Sequence, residues 1–184
     1  MARPRSAGRK YRYDGLEIAF HWATALLVVT LYTLAQIWSF FPKATQAELQ
    51  SVHISLGMLL AAVLVCRIAW RAGPGRGVLP ATSGLIEIAS KLAHYMLYVL
   101  LVAVVGFGLC MRWAAHGAIS FFGLFAIPSP FSLNHALSHS LFAMHSWAAT
   151  ILIVVAGLHA SAALFHHFVL RDRVLRRMLP MGNR

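Results

Sequence analysis

The feature that most constrains this chain is its set of four long apolar stretches. Each holds roughly 20 or more residues, enough for a helix to cross a bilayer core of about 30 Å. They lie at about residues 16–39, 50–70, 85–111 and 140–170. Only 11% of the residues are charged and the mean hydropathy is +0.69, too little charge to cover a soluble domain of this length. The sequence predicts an all-α integral membrane protein, a single domain over residues 1–184 built as a bundle of four transmembrane helices.

The basic residues are distributed unevenly along the chain. The formal net charge is +11, from 16 Lys and Arg against 5 Asp and Glu. Fourteen of the 16 lie in the two terminal tails or around the connection between the second and third stretches, and only Lys43 and Arg112 lie on the other side. By the positive-inside rule, this predicts a multi-pass membrane protein with both termini in the cytoplasm. The basic tails suit anionic lipid headgroups, and the pattern argues against nucleic acid as a partner.

Four histidines lie in the apolar stretches at matching depths. His145 and His159 are 14 residues apart in the fourth stretch. That interval is a rise of about 21 Å and a rotation within about 40° of whole turns, so both face the same way. His53 matches the depth of His145, and His21 matches the depth of His159. Each cross-helix pair can give two axial nitrogens to a haem held between helices. The spacing therefore predicts two non-covalent b-type haems, with these four histidines as iron ligands.

Neighbouring residues fit that interpretation. Gly57 and Gly157 lie near proposed ligands, and small residues let a porphyrin lie against the backbone. Arg67 follows His53 by 14 residues, which puts it at the depth of the other histidine pair. Haem propionates are a suitable partner for a guanidinium at that depth. The alternative for Arg67 is a side chain that snorkels from the helix end to the headgroups.

Other interpretations of the histidines stay open. Each histidine can instead form hydrogen bonds between helices. A zinc site is a second alternative, but its ligands should converge on one point, whereas these histidines form two layers about 21 Å apart. The two cysteines, Cys66 and Cys110, are not part of a C-x-x-C-H motif, which excludes covalent haem attachment.

Five sequence segments together carry a resemblance to a known family. They are "AFHW" around His21, "SVHISLGMLL" around His53, "KLAHYMLYVLL" around His94, "MHSWAAT" around His145 and "GLHASAALFHHFVLRDRVLRRMLP" at the C-terminus. With these segments, the chain resembles the bacterial cytochrome b561 family, and within it the superoxide oxidase branch. The resemblance covers nearly the whole chain and matches least well in the outer segment at residues 112–139.

The resemblance implies an oxidoreductase of the bacterial inner membrane with four helices, two b-type haems on the histidine pairs, and electron exchange with membrane quinone. In the superoxide oxidase branch, superoxide gives an electron on the periplasmic side and ubiquinone receives it. Two alternatives within the same fold are a quinol-linked b-type cytochrome that serves another periplasmic redox protein, and a hydrogenase-type anchor subunit. A membrane binding or assembly protein without redox activity is the alternative from a different class.

Two further residues are expected to act on the substrates of such an enzyme. Superoxide is a small anion whose encounter rate rises in a positive potential, so Arg112 is predicted at its entrance, with a headgroup contact as the alternative. His166 follows His159 by seven residues, on the same face and about 10.5 Å nearer the cytoplasm. There it is predicted to hydrogen-bond ubiquinone and pass a proton to it, unless it binds a propionate or caps the helix. His94 is a weaker candidate for the same pocket.

Overall fold

The computed structural model describes residues 13–73, 75, 84–130 and 132–179. Four long helices dominate it: α1 Gly15–Ile37, α2 Lys43–Ala72, α3 Gly84–His116 and α4 His135–Phe168. Each is long and apolar enough to cross a membrane. Two short 3-10 helices, Trp38–Phe40 and Leu175–Arg177, follow α1 and α4. Seven of the basic residues on which the topology prediction rests lie outside the described residues: Arg3, Arg5, Arg9, Lys10, Arg12, Arg76 and Arg184.

Three of the helices extend beyond the apolar stretches that predicted them. α2 begins at Lys43 rather than near residue 50, because helical structure continues through the polar segment "KATQAELQ" after Pro42. α3 continues to His116 rather than residue 111. α4 begins at His135 rather than residue 140, where the side chain of Asn134 caps it by accepting a bond from Leu137 N at 2.9 Å. Hydropathy marks the part of a helix in hydrocarbon, whereas caps and prolines mark where the backbone helix begins and ends.

The helices pack as two antiparallel pairs. α1 packs most extensively against α2, and α3 packs most extensively against α4. A buried cluster of leucines joins the pairs at mid-depth: Leu31, Leu60, Leu64, Leu101 and Leu152. α1 and α4 touch each other much less, so the bundle is least tightly packed between them.

Polar contacts fix the end of the bundle where α1 begins and α4 ends, here called the terminus end. Asp14 caps α1 by accepting a bond from Glu17 N at 2.8 Å, and it also accepts the indole N–H of Trp70 on α2 at 3.0 Å. Glu17 is buried and pairs with Arg71 at 2.6 Å. Because these bonds join the start of α1 to the last turns of α2, they set the relative height of the two helices.

The opposite end of the bundle, here called the hairpin end, carries a β-hairpin. The strands are β1 Ala118–Phe121 and β2 Phe125–Pro128, paired antiparallel with Phe121 opposite Phe125. The prediction of an all-α fold is therefore wrong for this segment. The chain reverses through Phe122 and Gly123, both at positive φ (47° and 74°), and glycine favours such a turn.

The hairpin is attached to the helices rather than free. Ile119 on β1 is 1% exposed, and β1 contacts both α2 and α3. The backbone N–H of Phe122 donates to Ser55 Oγ on α2 at 2.9 Å, and the fully buried Ser55 hydroxyl donates in turn to Ser51 O. The hairpin therefore packs over α2 two residues from His53.

Candidate functional site

The structure brings the four predicted ligand histidines together in two opposed pairs. The imidazole centroids of His21 on α1 and His159 on α4 are 6.5 Å apart, and those of His53 on α2 and His145 on α4 are 6.3 Å apart. A metal–imidazole bond of about 2 Å, plus about 1 Å from nitrogen to ring centre, separates the centroids of two axial ligands by roughly 6 Å. Both pairs have the separation of two imidazoles that share one metal ion.

His145 is held in one orientation by helix α3. Its Nδ1 lies 2.9 Å from the carbonyl oxygen of Val104. A carbonyl only accepts, so Nδ1 carries the proton and the lone pair of Nε2 is left for a metal. Gly108 on α3 makes this approach possible, because a Cβ at that position would lie 3.1 Å from both Cε1 and Nδ1 of His145.

His53, the partner of His145, lies against an aromatic ring. The indole of Trp38 meets the His53 imidazole edge to face, with centroids 5.3 Å apart. The His53 imidazole also interacts with the backbone carbonyl of Leu31 on α1, although its buried Nδ1 atom makes no hydrogen bond of good geometry to the residues that the structure describes. A metal between this pair would bind the other ring nitrogen, Nε2, as at His145.

The His21–His159 pair lies nearer the terminus end, and Arg67 on α2 contacts it. Nη2 of Arg67 is 3.3 Å from Nδ1 of His21, and its guanidinium lies over the ring of Tyr98 at 5.2 Å. Since a guanidinium only donates, this contact requires an unprotonated Nδ1 on His21. A metal on Nε2 needs the other tautomer, so Arg67 has to release Nδ1 when a metal binds. Its buried Nε has no partner within the described part of the chain, so Arg67 has a donor available for a further acceptor.

His94 on α3 also lies at this pair. Its ring centroid is 5.0 Å from that of His159, and its Nδ1 donates to Ser90 O at 2.6 Å. A separation of 5.0 Å is too short for two imidazoles on opposite sides of one metal ion, so this contact differs in kind from the two pairs. His94 is thus a neighbour of His159 rather than a third member of a metal cluster. Across residues 13–179, apart from the gaps named above, no group of three or more His, Cys, Asp or Glu has the geometry to hold a metal ion.

These observations fit a haem at each pair. Axial ligation needs two imidazoles, which the pairs supply, and open space beside them for a flat macrocycle. A Cβ built at Gly57, one helical turn from His53 on the same face of α2, meets nothing within 4 Å among the described residues, so open space lies beside that histidine. A Cβ at Gly157 also meets nothing, but Gly157 is about 200° round α4 from His159 and does not face the pair. His53, His145, His21 and His159 would hold the two irons, and Arg67 would hold a propionate.

The last turn of α4 and the chain after it form a second polar site. Nδ1 of His166 bonds to Oδ2 of Asp172, and Nε1 of Trp22 on α1 donates to Met178 O at 2.7 Å. Residues 169–179, here called the C-terminal strap, therefore fold back from α4 towards α1. Trp22 adjoins His21, with ring centroids 5.6 Å apart. The strap closes the terminus end of the gap between α1 and α4.

Arg112 lies at the hairpin end, partly buried on α3. Its Nε has no hydrogen-bond partner among the described residues. His116, one turn further along α3, interacts electrostatically with both Arg112 and His135 at the start of α4. The structure therefore gathers three cationic or titratable groups where the sequence predicted an entrance for an anion.

Three site features were missed by sequence reasoning. Gly108 was passed over because its effect depends on which face of α3 meets α4. Asp172 and the bond between Trp22 and Met178 were missed because they depend on a reversal of the chain after α4. The only local sequence signal for Asp172 was the segment "HHFVLRD", in which an aspartate follows the double histidine after four other residues.

A four-helix membrane bundle with opposed histidine pairs at two depths defines a class, the b-type membrane cytochromes. Comparison with known proteins gives the same class. The model of the prokaryotic cytochrome b561 family matches residues 12–181. The chain belongs to that family, whose members bind b-type haem, and it is a membrane electron-transfer protein of bacterial type.

Curated relatives cover almost the whole chain. It is 33% identical over 177 residues to cytochrome b561 homolog 2 of Escherichia coli (strain K12), which covers 91% of this chain and 91% of the relative. It is 31% identical over 170 residues to the probable superoxide oxidase CybB of Yersinia pestis, in an alignment that covers 92% of this chain and 96% of the relative. Cytochrome b561 homolog 1 of Escherichia coli (strain K12) is 29% identical over 176 residues, covering 92% and 97%.

Proposed function

We propose that this protein holds two b-type haems and transfers electrons from periplasmic superoxide to ubiquinone in the bacterial inner membrane. The observation that carries the proposal is the pair of opposed histidine sites with centroid separations of 6.3 and 6.5 Å, sharing α4 at two depths. The likeness to the probable superoxide oxidase CybB supports superoxide as the donor. When bound, haem supplies one-electron chemistry at its iron.

The balanced reaction takes two superoxide anions, one ubiquinone and two protons to two dioxygen molecules and one ubiquinol. Each superoxide gives up one electron, and the quinone gains two electrons and two protons. The hairpin end faces the periplasm in this proposal, because the basic tails and loop favour a cytoplasmic terminus end. The two substrates are then separated by the depth of the bundle.

The side chains of the protein hold the haems, bind and orient the two substrates, and exclude water. The four histidines hold the irons, and Val104 fixes the ring of His145. Arg112 raises the local concentration of a small anion at the hairpin end. At the terminus end, His166 provides an imidazole for a quinone oxygen, and Arg67 lies at the nearer histidine pair.

A stopped-flow experiment tests this function. Oxidised protein in lipid nanodiscs is mixed with superoxide, and haem absorbance is followed with and without a short-chain ubiquinone. We expect rapid haem reduction that superoxide dismutase abolishes, followed by reoxidation only when ubiquinone is present. Haem that superoxide fails to reduce, but that a quinol reduces, would contradict the proposal and favour a cytochrome that serves another periplasmic redox protein.

A further inference from the structure

The chain reverses sharply after α4 and brings Asp172 back onto His166. Val169 N still bonds to Phe165 O, but Arg171 adopts a positive φ of 54°, and Asp172 N then bonds to His166 O at 3.1 Å. The Asp172 carboxylate has two different partners. Its Oδ1 accepts Val174 N at 2.9 Å, and its Oδ2 bonds to Nδ1 of His166. One oxygen thus closes the turn, and the other contacts the imidazole.

The chemistry of that contact defines the state of His166. An ionised carboxylate only accepts, so Nδ1 of His166 carries a proton and Nε2 is the nitrogen left to exchange one. Partial burial raises the pKa of the Asp172 carboxyl. The hydrogen bonds from His166 and Val174, together with the charge of Arg177, lower that pKa by more than burial raises it. The net pKa lies below its ordinary value, and Asp172 stays ionised at neutral pH.

The surroundings allow a proton to enter at this site. The side chain of His166 is 17% exposed and that of Asp172 is 35% exposed, so the imidazole is mostly enclosed and the carboxylate reaches the surface. His166 lies on the same face of α4 as His159, about 10.5 Å nearer the terminus end. The bond from Trp22 to Met178 ties the strap to α1, which keeps Asp172 from moving away with the strap.

We propose that Asp172 is a positioning residue for proton delivery to quinone, acting through His166. It fixes the imidazole ring with Nδ1 protonated, so that Nε2 is the nitrogen that gives its proton to a quinone oxygen. In that step the Nε2–H bond breaks and an O–H bond forms on the quinone, while the electrons arrive from the electron-transfer chain of the protein. His166 then regains a proton from cytoplasmic water, and Asp172 remains a carboxylate throughout. This inference rests on the proposed quinone reduction at the terminus end.

One variant separates this role from the closing of the turn. In Asp172→Asn, the amide oxygen still accepts the N–H of Val174, so the turn is kept. The amide NH₂ now faces Nδ1 of His166 and donates to it, which requires the opposite tautomer. Asp172→Glu keeps the negative charge and serves as the conservative variant. Glu87→Gln is the matched control, because Glu87 pairs with Lys91 on α3, away from the strap, and the change is also carboxylate to amide.

The experiment uses full-length, haem-loaded protein in nanodiscs and two measurements. The first is ¹⁵N NMR of histidine-labelled protein, with the His166 signals assigned from His166→Gln. We expect the Nδ1–H tautomer in the wild type and the reverse in Asp172→Asn. The second is reoxidation of pre-reduced protein by a short-chain ubiquinone. At saturating quinone we expect reoxidation to slow at least about tenfold in Asp172→Asn, with haem content, superoxide-driven haem reduction and the quinone concentration for half-maximal rate changed less than about twofold.

The outcomes distinguish this inference from the function on which it rests. Slower reoxidation in Asp172→Asn with the reversed tautomer, part of it regained in Asp172→Glu, supports the positioning role. If His166→Ala is slow but Asp172→Asn reoxidises at the wild-type rate, or slows without a change of tautomer, the positioning role alone is overturned. If His166→Ala also reoxidises at the wild-type rate, the quinone reacts elsewhere and both the site and the inference fail.

Discussion

His145 donates its Nδ1 proton to the carbonyl oxygen of Val104, 2.9 Å away on the neighbouring helix α3. This bond crosses the most extensive helix interface of the bundle, that between α3 and α4. Hydrogen bonds of this kind orient a metal-bound imidazole and raise its basicity. The hairpin-side histidine pair is thus held from α3 as well as from α2 and α4, the helices that carry it.

Replacing Gly108 should disturb that orientation. A Cβ would lie 3.1 Å from the His145 ring, so Gly108→Ala should shift the imidazole and weaken its bond to Val104. Loss of such an outer contact typically costs about 10–100-fold in metal affinity. We expect lower haem occupancy at the hairpin-side site, measured from the haem spectrum during titration of apoprotein. Gly106→Ala is the control, because its Cβ meets nothing within 4 Å among the described residues, and equal behaviour of the two variants would contradict this explanation.

Arg67 should matter for the other haem. Its guanidinium reaches His21 at 3.3 Å, close enough to turn to a propionate. A hydrogen bond to a charged group contributes about 1.5–3 kcal/mol, so Arg67→Ala should weaken haem binding at the His21–His159 pair by roughly tenfold or more. Redox titration should also resolve a changed potential for that haem alone. Arg71→Lys, which keeps a cation beside Glu17, should leave both haems as in the wild type, and a matching loss there would point to general destabilisation.

The hairpin should depend on one buried hydroxyl. Ser55 is fully buried and accepts the backbone N–H of Phe122. Ser55→Ala leaves that N–H without its partner, at a cost of about 1–3 kcal/mol. We expect faster hydrogen–deuterium exchange across residues 118–128, measured by mass spectrometry. Ser146→Ala removes a hydroxyl that donates to Phe142 O within α4 and should leave the hairpin unchanged. Unaltered exchange in Ser55→Ala would mean that other contacts hold the hairpin.

Superoxide capture should depend on salt and on Arg112. Electrostatic steering of an anion weakens as salt screens the attraction. Arg112→Glu should slow haem reduction by superoxide roughly three- to tenfold at low ionic strength, and the wild-type rate should fall as salt is added. Lys43→Glu changes the net charge equally but lies at the start of α2, so it should slow the reaction less. Equal slowing in both variants would indicate a general charge effect rather than an entrance at Arg112.

The sequence predicted the features that follow from helix geometry alone. A 14-residue interval on α4 fixes both the depth and the facing of His145 and His159, and depth matching then selected His53 and His21 as partners. The same geometry put Arg67 at the His21 site. Which of these residues bind haem remains a prediction, although their separations fit it.

Features that depend on tertiary packing or on single backbone angles were not predictable. The bond from His145 to Val104 depends on the rotation of α3 against α4. The contact of Asp172 with His166 depends on one residue, Arg171, at a φ of 54°. The hairpin was not predicted, because its strands are only four residues long, too short for an alternating pattern to stand out in the sequence.

The central claim is that two histidine pairs hold two haems, and the ratio of haem to polypeptide tests it most directly. Purified wild-type protein should contain two haems per chain. His53→Ala and His145→Ala should each lose one haem, His21→Ala and His159→Ala should each lose the other, and the two groups should leave different residual spectra. His94→Ala should keep both, since its 5.0 Å contact with His159 is too short for two imidazoles on opposite sides of one iron. Two haems with unchanged spectra in all four ligand variants would contradict the account.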